Sequence, residues 1–210
     1  MDILSLLSLP VAYLLGTIPS AYIIARLNGR VDIRDEGDGK ISAAAVSRRV
    51  GLLSFLVVVV IDIGKALAAV LLAQFVFKAD VPLVLLCGML CIIGHQWSPF
   101  LRFQGGLGAT VIGGTLLGVF AIPTLIGAGC ATVLIWATKK STRSFAAALV
   151  IIAVLLFIAN YAKIAALPLF PEITPVWAFT YPIALGLMMV AKALQVKYRP
   201  GMPLIIRRLQ

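Results

Sequence analysis

Only two charged residues, Asp62 and Lys65, interrupt the apolar run at 51–77. About 20 apolar residues suffice to cross the hydrocarbon layer of a bilayer, so a run of this length reads as a membrane span. Similar runs occupy 3–25, 81–97, 144–167 and 176–191. The run at 109–137 is too long for one crossing, and Pro123 with its flanking glycines predicts two shorter helices with a tight turn near 121–123. Composition agrees, with 12% charged residues and a mean hydropathy of +1.07. A soluble domain carries about 25% charged residues. These runs predict an all-α, polytopic membrane helix bundle of about seven transmembrane helices, in one integral membrane domain spanning 1–210.

The first run contains Pro10, Gly16 and Pro19. Such breakers are tolerated inside membrane bundles, where neighbours re-satisfy the freed backbone groups. No basic residue precedes Arg26, and the run is longer than a signal-peptide core, so it is read as a retained span. The net charge of +10 lies in short loops between apolar runs. That distribution sets topology and excludes nucleic acid as the natural partner. The segments 26–50, 98–107 and 138–143 and the tail hold fifteen of the eighteen Lys and Arg residues. With seven helices these segments share one side, which predicts an external N-terminus and a cytoplasmic C-terminus. Six helices would split them.

The longest polar interval runs from Arg26 to Gly51, and a second Gly-rich segment, SPFLRFQGGLG, covers 98–108. Glycines before a helix expose backbone N–H groups and let an anion approach closely. Gly105, Gly106 and Gly108 stand in that position. Arg34, Arg48 and Arg49 lie in a loop on the same side, so the two segments predict a basic pocket for a phosphorylated small molecule. Topology and anionic lipid head groups also account for those arginines. Asp62 and Lys65 are three apart and share a helix face. Ionisable residues inside a span are functional candidates unless they neutralise one another. His95, the single histidine, closes the third span beside the Gly-rich segment. Cys87 and Cys91 share a helix face without a histidine or acid at ligand spacing, so they read as reduced core residues and no metal site is expected.

Taken in order, GTIPSAYIIAR, DIRDEGDGKISAAAVSRRVG, DIGK and GHQWSPFLRFQGGLGAT resemble the bacterial glycerol-3-phosphate acyltransferases that use acyl phosphate, the PlsY family. The tail YRPGMPLIIRRLQ is similar to that family's last motif. The resemblance implies a multi-pass enzyme of the cell inner membrane with a cytoplasmic site. It implies transfer of an acyl group from acyl phosphate to glycerol 3-phosphate, giving lysophosphatidate for phospholipid synthesis without a cofactor. It places Ser20, Arg34, Gly37, Gly39, Arg48, His95, Gly105, Gly106 and Gly108 at substrate-binding positions, with Asp62 and Lys65 as an intramembrane pair. It assigns no residue a catalytic role, since acyl phosphate is already activated and positioning with charge neutralisation can suffice.

The sequence departs from the family pattern at polar positions. Asp38, Lys40, Ser42, Ala44 and Ala45 stand where the first motif has Ser, Asn, Gly, Thr and Asn. Gln104 and Leu107 replace two lysines, and Tyr198, Gly201 and Gln210 replace His, Asn and Glu. A hydrogen bond to a charged group contributes about 1.5–3 kcal/mol. Each loss therefore costs roughly 10–100-fold in binding or rate. The expectation from these substitutions alone is weak or absent acyl transfer, with weakened glycerol 3-phosphate binding. The alternative reading is an impaired family member that binds a lipid or phosphorylated ligand, or a protein partner. A transporter, suggested by the charges within a span, lacks the inverted repeat expected of one.

Overall fold

A computed structural model describes residues 2–34, 41–138, 141–161 and 174–198, and every regular element among them is helical. The first apolar run forms α1 (Ile3–Leu6), α2 (Ser8–Thr17) and α3 (Ser20–Gly29). Pro19 has no N–H to continue the ladder, and Ile18 turns away at ψ 114, so the chain breaks between α2 and α3. A short helix, α4 (Ala43–Arg49), follows in the interval read as loop. Ser42 caps it, accepting a hydrogen bond from Ala45 N–H at 3.2 Å. The second run is α5 (Leu52–Leu71), whose last turn widens to a π-turn over Leu72–Val76. Asp80 caps α6 (Val81–Gln96) through Leu83 N–H at 3.2 Å.

The run at 109–137 divides as its length requires, into α7 (Ala109–Val119) and α8 (Ala121–Thr138). The break falls at Phe120, just before the expected turn. Next come α9 (Ser141–Tyr161) and α10 (Pro175–Tyr198). The expected proline-rich turn at 168–175 lies almost wholly outside the described residues.

Among the described residues, five helical stretches are long and apolar enough to cross a membrane: Ile3–Gly29, Leu52–Val76, Val81–Leu101, Ala121–Thr138 and Val176–Val196. Two apolar helices, Ala109–Val119 and Ala147–Leu156, are shorter. Val60, Leu125, Val133, Val150 and Leu187, all mid-helix, are more than 60% exposed. In water those faces would be polar, whereas lipid accepts them. The chain is an all-α, multi-pass membrane helix bundle.

Small residues set the spacing inside it. α2 packs on α6, α5 on α7, α8 on α9 and α9 on α10. A Cβ at Gly16 would strike the Cys91 backbone, and one at Gly94 would strike the Tyr13 carbonyl. The α2–α6 seam is therefore backbone against backbone, as in small-residue packing between membrane helices. Cys87 and Cys91 are buried free thiols in this seam, and Cys87 Sγ donates to Ser8 Oγ at 3.2 Å. One apolar core joins α2, α5, α6, α7, α9 and α10. A second joins α3, α4, α5 and Leu101. The polar residues gather where the two meet.

Candidate functional site

The break between α2 and α3 releases backbone carbonyls inside the bundle, and side chains take them up. Ser98 Oγ donates to the Thr17 carbonyl at 2.7 Å, and Lys65 Nζ donates to the Ile18 carbonyl at 2.8 Å. Lys65 sits on α5 one turn beyond Asp62, and the two form an ion pair at 2.9 Å with both side chains under 5% exposed. Asp62 also accepts from Ser20 Oγ at 2.5 Å through Oδ1 and from Thr110 Oγ1 at 2.8 Å through Oδ2. Lys65 Nζ is 3.0 Å from His95 Nδ1. Four helices, α3, α5, α6 and α7, thus converge on one buried carboxylate, whose charge is compensated by a neighbouring ammonium and two hydroxyls. Buried charges persist when they are paired and hydrogen-bonded in this way.

His95 connects this centre to the Gly-rich turn. Gly105 N–H donates to the Gln96 carbonyl at 3.1 Å, and Gln96 Nε2 donates to the Leu107 carbonyl at 2.9 Å. The turn is thereby tied to the end of α6. A Cβ at Gly105 would collide with the His95 carbonyl. A Cβ at Gly106 would stand 2.7 Å from the Ile41 carbonyl and 2.8 Å from His95 Nε2. Gly108, at φ +83, turns the backbone into the start of α7. The segment ending the first polar interval and the glycine turn therefore meet, with the imidazole edge between them.

Of the residues singled out by sequence, Ser20, Asp62, Lys65, His95, Gly105, Gly106 and Gly108 come together here. Arg34 instead grips Asp32, with Nε at 2.9 Å and Nη2 at 2.7 Å. Its guanidinium also lies 5.0 Å from the centre of the Tyr22 ring. Arg48 is exposed in the last turn of α4. Gly37 and Gly39, with Asp38 and Lys40, lie outside the described residues, as do Gly201 and Gln210. Ala45 is buried in the apolar core of α3, α4 and α5, because α4 turns that position inward.

Thr110 and Lys192 are among the participants not singled out by sequence. Thr110 was legible only as the residue closing a motif, and its reach to Asp62 depends on how α7 is rotated. Lys192 was assigned to the basic tail. Instead α10 runs to Tyr198, and Lys192 is 1% exposed, with Nζ 4.8 Å from the Trp97 ring centre. Trp97 Nε1 donates to Gln195 Oε1 at 3.1 Å, fixing α10 on the end of α6. The cationic excess of the tail loses one member, and the interior beside His95 gains one.

Arg26 joins Arg34 on Asp32, at 2.7 Å. The Arg34 hydrogen bonds first, and the two positive charges after them, lower the Asp32 carboxyl from 3.8 to about 2. A carboxyl lowered by folding contributes stability that is full above its unfolded value and is lost as pH falls through the folded value. Thermal unfolding of the native chain and of Asp32→Asn should therefore differ at neutral pH and converge as pH approaches about 2. A difference independent of pH would mean that this carboxylate is not the stabilising group.

The fold and this buried polar centre define a polytopic membrane protein with a polar site enclosed by helices. A family model described as glycerol-3-phosphate acyltransferase matches residues 6–206, and the chain belongs to that family. Glycerol-3-phosphate acyltransferase 2 of Moorella thermoacetica is 44% identical over 112 residues, 53% of this chain and 57% of that protein. Glycerol-3-phosphate acyltransferase 1 of Deinococcus radiodurans is 43% identical over 122 residues, 58% and 59% of the two chains. The chain thus spans less than two thirds of the length of these relatives. The glycerol-3-phosphate acyltransferase of Allorhizobium ampelinum is 35% identical over 153 residues, 72% of this chain and 73% of its own. The fold is also that of PlsY (YgiH), an integral membrane glycerol 3-phosphate acyltransferase solved by crystallography. Its glycerol 3-phosphate form superposes with a TM-score of 0.76 and 24% identity over 91% of this chain and 88% of its own.

Proposed function

We propose that this protein transfers an acyl group from acyl phosphate to a hydroxyl of glycerol 3-phosphate, forming lysophosphatidate and releasing inorganic phosphate. The observation that carries the reading is the seating of His95 against Gly106, inside a chain that matches the acyltransferase family from residue 6 to residue 206. Solved PlsY structures in glycerol 3-phosphate and lysophosphatidic acid forms support the acceptor and product classes. Acyl phosphate as donor follows from the motif resemblance.

In this reading the glycine turn and the start of α7 receive a phosphoryl group, since helix N-termini favour anions. Lys192 adds positive charge behind Trp97, and Arg34 and Arg48 supply it at the mouth. Alignment of two bound substrates, rather than strong acid–base chemistry, lowers the barrier; well-oriented reactions gain up to about 7–11 kcal/mol in this way. The test is purified protein in detergent with acyl phosphate and glycerol 3-phosphate, scoring lysophosphatidate and phosphate. Turnover is expected from the native chain. Leu107→Lys should lower the KM for glycerol 3-phosphate by about tenfold, the scale of one charged hydrogen bond. No product from either protein would overturn the reading.

We also propose seven crossings, with an external N-terminus and a cytoplasmic C-terminus. Helix α7 and helix α9, whose apolar stretch is short, both cross in this topology, and the basic loops share a side. A reporter fused after Gln210 should report the cytoplasm. Activity of a periplasm-specific reporter at that point would defeat both the count and the orientation.

A further inference from the structure

Lys65 has three N–H donors and no acceptor. The structure provides three acceptors around Nζ: Asp62 Oδ1 at 2.9 Å, the Ile18 carbonyl at 2.8 Å and His95 Nδ1 at 3.0 Å. All three ammonium protons are thereby used, and the third has only the imidazole nitrogen to go to. A proton on Nδ1 would set two donors face to face at 3.0 Å. Nor would it find Asp62, whose Oδ1 is 3.8 Å away, beyond hydrogen-bond reach. In a neutral imidazole one nitrogen donates and the other accepts, and the bond at one nitrogen sets the role of the other. The remaining proton therefore belongs on Nε2. Among the described residues Nε2 has no hydrogen-bond partner, and it faces the space over Gly106.

We propose that Lys65 is a positioning residue that holds His95 as the neutral Nε2–H form, so that His95 presents a hydrogen-bond donor to the glycine turn and not a proton acceptor. The chain of causes begins in the sequence. Pro19 breaks the first span and turns out the Ile18 carbonyl, which accepts from Ser20 N–H at 3.0 Å and still occupies one Lys65 proton. Asp62, three residues before Lys65, occupies the second. His95 receives the third. A donor at this place suits an oxygen that gains negative charge, such as a phosphoryl oxygen or the carbonyl oxygen of an acyl group under attack. That use of the donor rests on the acyl-transfer reading, whereas the position of the proton does not.

His95 is the single histidine, so a protein labelled with 15N-histidine and purified without a histidine tag gives one imidazole. Its nitrogen spectrum at neutral pH should show a protonated, pyrrole-type Nε2 and an unprotonated, pyridine-type Nδ1. In Lys65→Met the proton should move to Nδ1, turning towards Asp62. A native spectrum with the proton on Nδ1, or on both nitrogens, overturns the proposal even if Lys65→Met does not fold. An unchanged spectrum in folded Lys65→Met overturns the role of Lys65. Activity tests the donor separately. His95→Gln, whose amide N–H reaches a similar point, should keep acyl transfer within about tenfold, while His95→Ala should lose about 10–100-fold, the scale of a hydrogen bond to a charged group. Equal losses in the two variants overturn the donor role. If the native chain transfers no acyl group, the function reading fails, and the spectrum still decides where the proton lies.

Discussion

Asp62→Ala is expected to destabilise the bundle by about 3–5 kcal/mol, the scale for removing one partner from a buried ion pair. The carboxylate accepts from Ser20, Thr110 and Lys65, so its loss strands two hydroxyls and an ammonium at once. Lys65 keeps the Ile18 carbonyl and His95 Nδ1, but neither carries a negative charge. For a chain of this size the shift in melting temperature in detergent is on the order of 10 °C. Lys65→Ala should lose a similar amount, because it leaves the carboxylate as the unpaired charge. The double replacement Asp62→Ala with Lys65→Ala should fall short of the sum, since removing both charges leaves neither one buried and unpaired. An unchanged melting temperature in Asp62→Ala would mean that water, and not the protein, compensates this carboxylate.

This centre was partly legible in the sequence. Two opposite charges three residues apart in an apolar run must share a face, but nothing in the spacing joined His95 to them. The spacing could not show that Ser20 and Thr110 close on the same carboxylate, because helix rotation about its axis is set by packing between helices. Here that packing depends on Gly16 and Gly94, whose missing side chains let α2 and α6 touch through backbone. The break before Ser20 was signalled by Pro19, but its consequence, an Ile18 carbonyl turned within reach of Lys65, is a three-dimensional fact.

Elsewhere the pattern misled in understandable ways. Ala43–Arg49 was read as loop because it lies in a polar, Gly-containing interval. Yet Ser42 followed by three alanines is a capped helix start with the best helix-forming residue behind it. Lys192 was read as tail because a charge usually marks the end of an apolar run. α10 continues past it because Trp97 and Gln195 anchor the next turn, and the long lysine stem packs along apolar surface while its charge meets the Trp97 ring. The split of 109–137 was legible from length alone, since one crossing cannot use so many residues.

Gly105→Ala is expected to reduce acyl transfer by about 100-fold or more while leaving the bundle folded. The added Cβ would collide with the His95 carbonyl and approach the Gln96 carbonyl carbon and oxygen, each at 2.9 Å. These are backbone atoms at the end of α6, so no side-chain rotation relieves the contact. The turn must move outward, which breaks the Gly105 N–H bond to Gln96 and weakens the Gln96 bond to Leu107. Gly106 then leaves His95 Nε2, and the donor no longer meets a substrate seated on the turn. A displacement of about 1 Å in a positioning element is enough for a loss near 10²-fold. The turn lies outside both apolar cores, so the melting temperature should fall far less than in Asp62→Ala. Gly106→Ala is the companion, because the nearest atoms its Cβ would press on are the Ile41 carbonyl and the imidazole, not α6 backbone. It should spare the tie to Gln96 and still impair turnover. Full activity in both variants would show that the glycine turn does not hold the reacting groups. A melting temperature lowered as far as in Asp62→Ala would show that the turn serves the fold instead.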